Sequence, residues 1–402
     1  MKTLPKPNNQ QITWMRDIRR HLHRHPELAF AEFATARFIA EQLGELGIPC
    51  REQVGRTGIV ASLGSRKTSA PCVALRADMD GLPITEQTGL PFASETPGMM
   101  HACGHDGHVA MLLGAAALLK AKEAEIPGRV VLIFQPAEEG DGGAQGMIAE
   151  GAIDGVSAIF AGHIDRNYGL NEIVVQPGLI SAFTDEFSIE IRSQGGHAAK
   201  PHETADSILA AGQLITSIQG IVAREIHPCF PAVITVGAIH GGDTANVIAA
   251  QVFLVGTVRT TSPETRAVCI ASLQRMTRAM EQLHRVETFF SLEEGYPPVI
   301  NDPVAANIAT EVAAAIVGQD KVKGQPLPSL GGEDFSFFLQ KIPGCMVRFG
   351  ARHTELHDAP AHSPHFDFDE KVLPTGALFL AQTALSALER IEELRGPSPD
   401  RA

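Results

Sequence analysis

The octapeptide HACGHDGH, residues 101–108, places one cysteine, three histidines and an aspartate in eight positions, with two glycines that let the chain bend. So dense a set of donors can build a metal site, a redox or nucleophilic centre, or a loop that does neither. Other residues able to do chemistry are scattered along the chain: Asp78 and Asp80 in RADMD, the adjacent pair Glu138–Glu139 in QPAEEG, His163 in AGHI, and His362 and His365 in APAHSPHFDFDE. His, Cys and carboxylate donors drawn from separate segments suit Zn²⁺ or a similar divalent ion. They also suit a two-metal hydrolytic centre, where a bridging thiolate or carboxylate holds the ions roughly 3.5 Å apart and acidifies a water between them. The double glutamate then has a division of labour, one acid on the metal and its neighbour off it as the base.

Each of these signals is weak alone. A histidine at a strand end is more often a hydrogen-bonded residue than a ligand, a Glu-Glu pair is usually solvated, and Cys103 by itself reads first as a buried thiol. A Cys103–His nucleophilic dyad is an alternative, but it needs neither the glutamate pair nor the distant histidines. A structural zinc would use tight local Cys/His pairs, and this motif has a single cysteine.

The elements that must position these groups can be read from the pattern. Residues 11–48 read as helical, punctuated by Pro26, Gly44 and Gly47. Short apolar runs follow at 58–64, 72–80, 129–139 and 157–164, with an Ala/Leu-rich helix at 106–125 between the second and third. Such runs with intervening helices imply an α/β domain with a mostly parallel sheet. In open α/β sheets the ligand crevice lies beyond the carboxyl ends of the strands. RADMD, QPAEEG and AGHI all fall there, so their polar residues are expected to converge with Cys103 and His105.

From residue 184 the pattern changes. A strand at 185–194, a helix at 203–224, strands at 232–242 and 251–260, a helix at 263–283 and a strand at 286–297 give the βαββαβ order of a ferredoxin-like domain. Two helices, 302–317 and 369–392, then flank a strand at 345–351. The expected layout is a catalytic domain formed by residues 1–183 and 298–402, with residues 184–297 inserted as a second domain. The last residues, GPSPDRA, read as a frayed tail.

Composition narrows the class. A chain of 402 residues suggests about two domains. A formal charge of −13 speaks against nucleic acid, which needs clustered Lys and Arg. No apolar stretch reaches membrane-spanning length and the N-terminus lacks a signal-peptide core, so no membrane partner is expected. Six cysteines without framework spacing read as reduced thiols and point to the cytoplasm.

HRHPELAFAE (23–32), RADMDGLP (76–83), MHACGHDGH (100–108), FQPAEEG (134–140), GGHAAKPH (195–202), TANVI (244–248), GGEDF (331–335) and HSPHFDFDE (362–370) together resemble the metal-dependent aminoacylase/carboxypeptidase family. They are most similar to its branch of hippurate hydrolases, N-acyl-amino-acid amidohydrolases and auxin-conjugate hydrolases, over residues 12 to 392. The resemblance implies two divalent ions per subunit, Zn²⁺ first and Mn²⁺, Co²⁺ or Ni²⁺ as alternatives. It implies Cys103, His105, Glu139, His163 and His362 as their ligands, with Cys103 as the bridge and Glu138 as the general base. Asp78 and Asp80 are expected to support the ligands from behind.

By the same resemblance the inserted domain serves as lid and dimerisation surface, and the protein is a homodimer or higher homo-oligomer. His197 is expected to polarise the scissile carbonyl as an oxyanion stabiliser. Asn246 is expected to contact substrate, Arg259 to pair with a substrate carboxylate, and Gly331, Gly332 and Glu333 to shape the pocket wall. The implied reaction is hydrolysis of the amide bond of a small N-acyl-amino acid. A dipeptidase or carboxypeptidase is the rival reading, and a non-catalytic metal-binding protein a more distant one. Gly162, just before His163, departs from the bulky residue more usual in the family.

Overall fold

A computed structural model describes residues 4–67, 69–140, 142–352 and 359–395. The chain divides into two compact units. The first comprises Met1–Gly178, Val299–Pro326 and Asp334–Ala402; the second comprises Leu179–Pro298 and Leu327–Glu333. The tail 396–402 lies outside the described residues.

The first unit is built on an eight-stranded sheet. Across it run Cys50–Val54, Gly58–Gly64, Arg129–Gln135, Cys72–Asp78, Ala158–Asp165, Gly344–Gly350, Ile173–Val174 and Val322–Lys323. The middle four strands are mutually parallel. They are buried almost throughout, as the unbroken apolar runs require. Gly58–Gly64, expected in the parallel set, instead pairs antiparallel on both sides: with Cys50–Val54 across a tight turn, and with Arg129–Gln135. That first strand has only five residues, three of them exposed, and carries no apolar run to reveal it.

The stretch 11–48 is two helices, Asn9–Arg24 and Phe33–Glu45. The break follows Pro26, and Glu27 caps the second helix through the amides of Ala34 and Thr35. The helix His105–Lys120 is buried on nearly every face, packed between the sheet and the helices Asn9–Arg24 and Leu373–Glu389. Among the described residues one helical stretch, Glu370–Glu389, is long and apolar enough to cross a membrane, but 78% of its apolar window is buried inside the molecule, as befits a core helix.

The second unit has a four-stranded antiparallel sheet in the order Ala232–Gly241, Gln251–Thr260, Phe183–Arg192, Glu287–Glu294. The helices Ser207–Arg224 and Pro263–His284 pack on it around a separate apolar core. The order βαββαβ is that of a ferredoxin-like unit.

A buried charge cluster ties the first unit together. Arg19, on the first helix, reaches Asp106 (2.9 Å), Asp367 (2.6 Å) and Glu370 (3.1 Å) while only 1% of its side chain is exposed. Burial opposes its charge, but the three carboxylates outweigh burial and hold the guanidinium firmly protonated. His23 sits beside it with Nδ1 2.9 Å from Asp106 and Nε2 3.3 Å from Glu86. Burial disfavours the charged ring, yet hydrogen bonds to both carboxylates raise its pKa above 6.5.

Removing one member of such a cluster leaves uncompensated buried charge. Arg19→Met is expected to lower the unfolding free energy by about 3–5 kcal/mol in urea titration; a loss below about 1 kcal/mol would show that the cluster is not anchoring the helix. His23 gives a pH signature. Its folded pKa is raised, so its contribution is fully present below the unfolded value of 6.5 and is lost as pH rises through the folded value. The melting-temperature deficit of His23→Asn should therefore shrink from acid towards alkaline pH, and a deficit that grows instead would reverse the assigned sign.

Candidate metal centre

Three parallel strands deliver chemistry at their carboxyl ends. Cys72–Asp78 ends in Asp78 and is followed by Asp80. Arg129–Gln135 is followed by Glu138 and Glu139, and Ala158–Asp165 carries His163 near its end. Cys103 and His105 lie at the entrance of the helix His105–Lys120.

Sharp turns aim these groups. Gly104, between the two ligand candidates, has φ 101° and caps the helix. Ala137, just before the glutamate pair, has φ 54°, and His362 itself has φ 66°. For a residue with a Cβ this is strained backbone that surrounding contacts must hold. Ala137 is held by its amide donating to Glu32 (2.9 Å) and by its carbonyl accepting from Gly142 and Gly143. Glu32 is fully buried and also accepts from the Thr57 hydroxyl (2.6 Å). The amide of His362 donates to the carbonyl of Ala102 (2.8 Å), joining its loop to HACGHDGH.

The predicted ligands come together. Cys103 Sγ lies 3.5 Å from His163 Nε2, and His362 Nε2 lies 3.2 Å from Glu139 Oε1. His105 Nε2 stands 3.9 Å from Glu139 and 4.0 Å from Glu138. Two donor sets, Cys103–His105–His163 and Cys103–Glu139–His362, each fall within 4.8 Å and share Cys103. His365, in contrast, turns to the carbonyl of Gln87.

Hydrogen bonds determine which lone pairs are offered. His105 Nδ1 faces the carbonyl (3.0 Å) and carboxylate (3.1 Å) of Asp80, both acceptors, so Nδ1 carries the proton. Nε2, the other ring nitrogen, is buried with no hydrogen-bond partner among the described residues and is the atom left to face a cation. Asp80 also accepts the amide of Glu139 (2.9 Å), so one carboxylate sets two ligand candidates. His163 Nδ1 likewise donates to the carbonyl of Ile164 (2.7 Å). A thiol, three imidazoles and carboxylates with an orphaned imidazole nitrogen among them fit a borderline divalent cation such as Zn²⁺.

Burial disfavours a charged His105 ring, but Asp78, Asp80 and Cys103 outweigh it and hold the imidazole well above its ordinary value, so His105 gives up a proton when a cation binds. Burial, aided by the charge of Glu139, pushes the Cys103 thiol well above its usual range, so its proton leaves when a cation replaces it. Burial and the neighbouring His108 and Arg348 hold His163 well below the ordinary imidazole value, which keeps it neutral. His101 is buried with neither ring nitrogen hydrogen-bonded among the described residues, and burial pushes it down to about 4. Asp78 lies behind the donors, paired with Arg76 (2.6 Å) and His108 (2.5 Å), with Oδ1 3.9 Å from His105 Nε2.

The remaining predicted residues lie in the second unit. His197 and Asn246 are neighbours there: the strand Gly196–His197 pairs with Val247–Ile248, and the amide of Ala198 donates to the carbonyl of Asn246 (3.0 Å). His197 is exposed, and its Nδ1 accepts from the amide of Ala199. Arg259 sits in strand register with Thr184. Gly332 packs so closely on Thr184 that a Cβ would come within 2.9 Å of it. Sequence reasoning gave no role to Glu32, Arg76 or Arg19; for Arg76 the signal was a charge within the apolar run 72–77, whereas Arg19 sits among other charged residues and gave none. Gly162 is also explained by packing, since a Cβ there would stand 2.2 Å from Phe349.

Comparison with known proteins adds a family. A model of peptidase family M20/M25/M40 matches residues 74–386. N-acetyl-L-cysteine deacetylase of Bacillus subtilis is 40% identical over 379 residues, 94% of this chain and 88% of that protein. IAA-amino acid hydrolase ILR1-like 4 of Arabidopsis thaliana is 39% identical over 388 residues, 95% of this chain and 87% of that one. The crystal structure of a Bacillus subtilis protein, described as a dinuclear metal-binding peptidase of family M20, matches with a TM-score of 0.82 at 36% identity, covering 95% of this chain and 99% of the other.

The Asp80 geometry makes a quantitative expectation. Asp80→Ala frees the His105 ring and should weaken Zn²⁺ binding about 10–100-fold in competition with a chromophoric chelator. Unchanged affinity would show that the His105 tautomer does not depend on Asp80.

Proposed function

Because this chain belongs to peptidase family M20/M25/M40, we propose that it is a metal-dependent amidohydrolase that releases an amino acid from its N-acyl conjugate. The observation carrying this reading is that two three-donor sets share Cys103, with Glu138 beside them. In the reading, Cys103, His105, Glu139, His163 and His362 hold two divalent ions. Such a pair, Zn²⁺ by preference for the Cys103 thiolate and Mn²⁺, Co²⁺ or Ni²⁺ as alternatives, supplies an acidified water and polarises the substrate carbonyl.

The chain's own residues do the rest. Glu138 accepts a proton from the attacking water and later gives it to the leaving nitrogen. Asp80 keeps the Nδ1 proton on His105 and holds the Glu139 amide. His197 donates to the oxyanion of the tetrahedral intermediate. Asn246 contacts the substrate, and Arg259 pairs with the carboxylate of its amino-acid half. Gly332 and Glu333 form part of the pocket wall.

The second unit is proposed as lid and dimerisation surface. Its exposed apolar side chains, among them Val233, Ile239 and Phe253, support that use. Six free cysteines support a cytoplasmic setting.

Glu138→Gln keeps every proposed ligand but removes the base. Turnover is expected to fall about 10²–10⁴-fold with bound metal unchanged; near-normal turnover would sink the assignment. The substrate class is tested by following free amino acid from N-acetyl-, N-benzoyl- and long-chain N-acyl-amino acids alongside unblocked dipeptides. Hydrolysis of the acyl substrates is expected. Hydrolysis of dipeptides alone would make the protein a peptidase instead.

A further inference from the structure

We propose that His108 is a positioning residue for His163, acting through the backbone of Ile164; this rests on the reading of His163 as a metal ligand. His108 lies in a three-donor group with Asp78 and His105, which could itself suggest a ligand. Its hydrogen bonds exclude that. The amide of Ile164 donates to His108 Nε2 (2.8 Å), so Nε2 is the acceptor nitrogen. Nδ1 therefore carries the proton and donates to Asp78 Oδ1 (2.5 Å). No lone pair is left for a cation.

The links form one chain. Arg76 donates to Asp78 Oδ2 (2.6 Å) and is itself fixed by Gln135 (2.8 Å) and Asp334 (2.9 Å). Asp78 orients His108, and His108 holds the amide of Ile164. The carbonyl of that same Ile164 takes the Nδ1 proton of His163, leaving His163 Nε2 facing Cys103. Arg76, Asp78 and His108 are all buried, at 2%, 1% and 2% exposure, so water does not substitute for these bonds.

A second, independent grip acts on the same residue. A Cβ at Gly104 would come 3.2 Å from the Ile164 side chain, and one at Gly107 would come 2.5 Å from it. The two glycines of HACGHDGH thus make room for Ile164, and its last histidine takes the Ile164 amide. One motif contributes Cys103 and His105 directly and orients His163 at one remove. Such supporting partners alter metal affinity without touching the metal.

The test uses the full chain and Zn²⁺ or Co²⁺ alone, so activity is not the readout. His108→Gln can bond both Asp78 and Ile164; His108→Asn, one carbon shorter, can keep Asp78 but not reach Ile164. His108→Gln should bind within a few-fold of the parent. His108→Asn and His108→Leu should lose about 10–100-fold in affinity, with a changed visible spectrum of the Co²⁺ form. Combined with His163→Ala, His108→Leu should cost nothing further. Equal affinity of the Gln and Asn variants, or full additivity in the double variant, would overturn the proposal, and the Gln–Asn comparison decides even if His108→Leu does not fold. If His163→Ala alone binds metal like the parent, the ligand reading beneath the proposal has failed, which is a separate and recognisable result.

Discussion

An imidazole offers a lone pair to a cation only when its other nitrogen keeps the proton, and the first unit is arranged around that choice. His105 is settled by a carboxylate and His163 by a main-chain carbonyl. The two solutions differ in kind. Asp80 carries charge into the centre and so raises the demand for a cation, whereas Ile164 adds none. Both solutions come from the carboxyl ends of neighbouring parallel strands.

Placing so many carboxylates in the interior creates a second constraint, because a buried charge without a partner is costly. Two arginines meet it. Arg76 lies under the strand ends between Asp78 and Asp334, and Arg19 lies under the entrance of the central helix, where Asp106 follows directly after His105. Arg19 forks to Asp106, Asp367 and Glu370, and Arg76 to the nearby Asp78 and the distant Asp334, so charges that would disrupt the core instead join sequence-remote segments. Strain is accommodated in the same way: Ala137 keeps its left-handed turn because Glu32 holds its amide.

Much of this was legible in the sequence, for physical reasons. The buried strands announce themselves as apolar runs, and polar residues ending those runs have few places to go except the crevice, which is why Asp80, Glu138, Glu139 and His163 could be brought together on paper. His362 could not be placed by pattern, since no periodicity predicts a loop over two hundred residues away; family resemblance supplied it. The strand Cys50–Val54 escaped notice because an exposed edge need not be apolar. His108 was expected to support the centre, but its route through Ile164, like the roles of Arg76 and Glu32, could not be read because hydrogen-bond partners chosen across a tertiary fold leave no spacing. HACGHDGH illustrates both sides: its donors were conspicuous, while the work of its glycines depends on where Ile164 lies.

The contact of Gly162 with Phe349 ties the backbone beside His163 to the neighbouring strand. With the Phe349 ring occupying the space of any Cβ, a side chain before His163 is blocked as long as that ring remains. The two positions are therefore coupled in packing, so that the cost of a side chain at 162 depends on the size of the residue at 349.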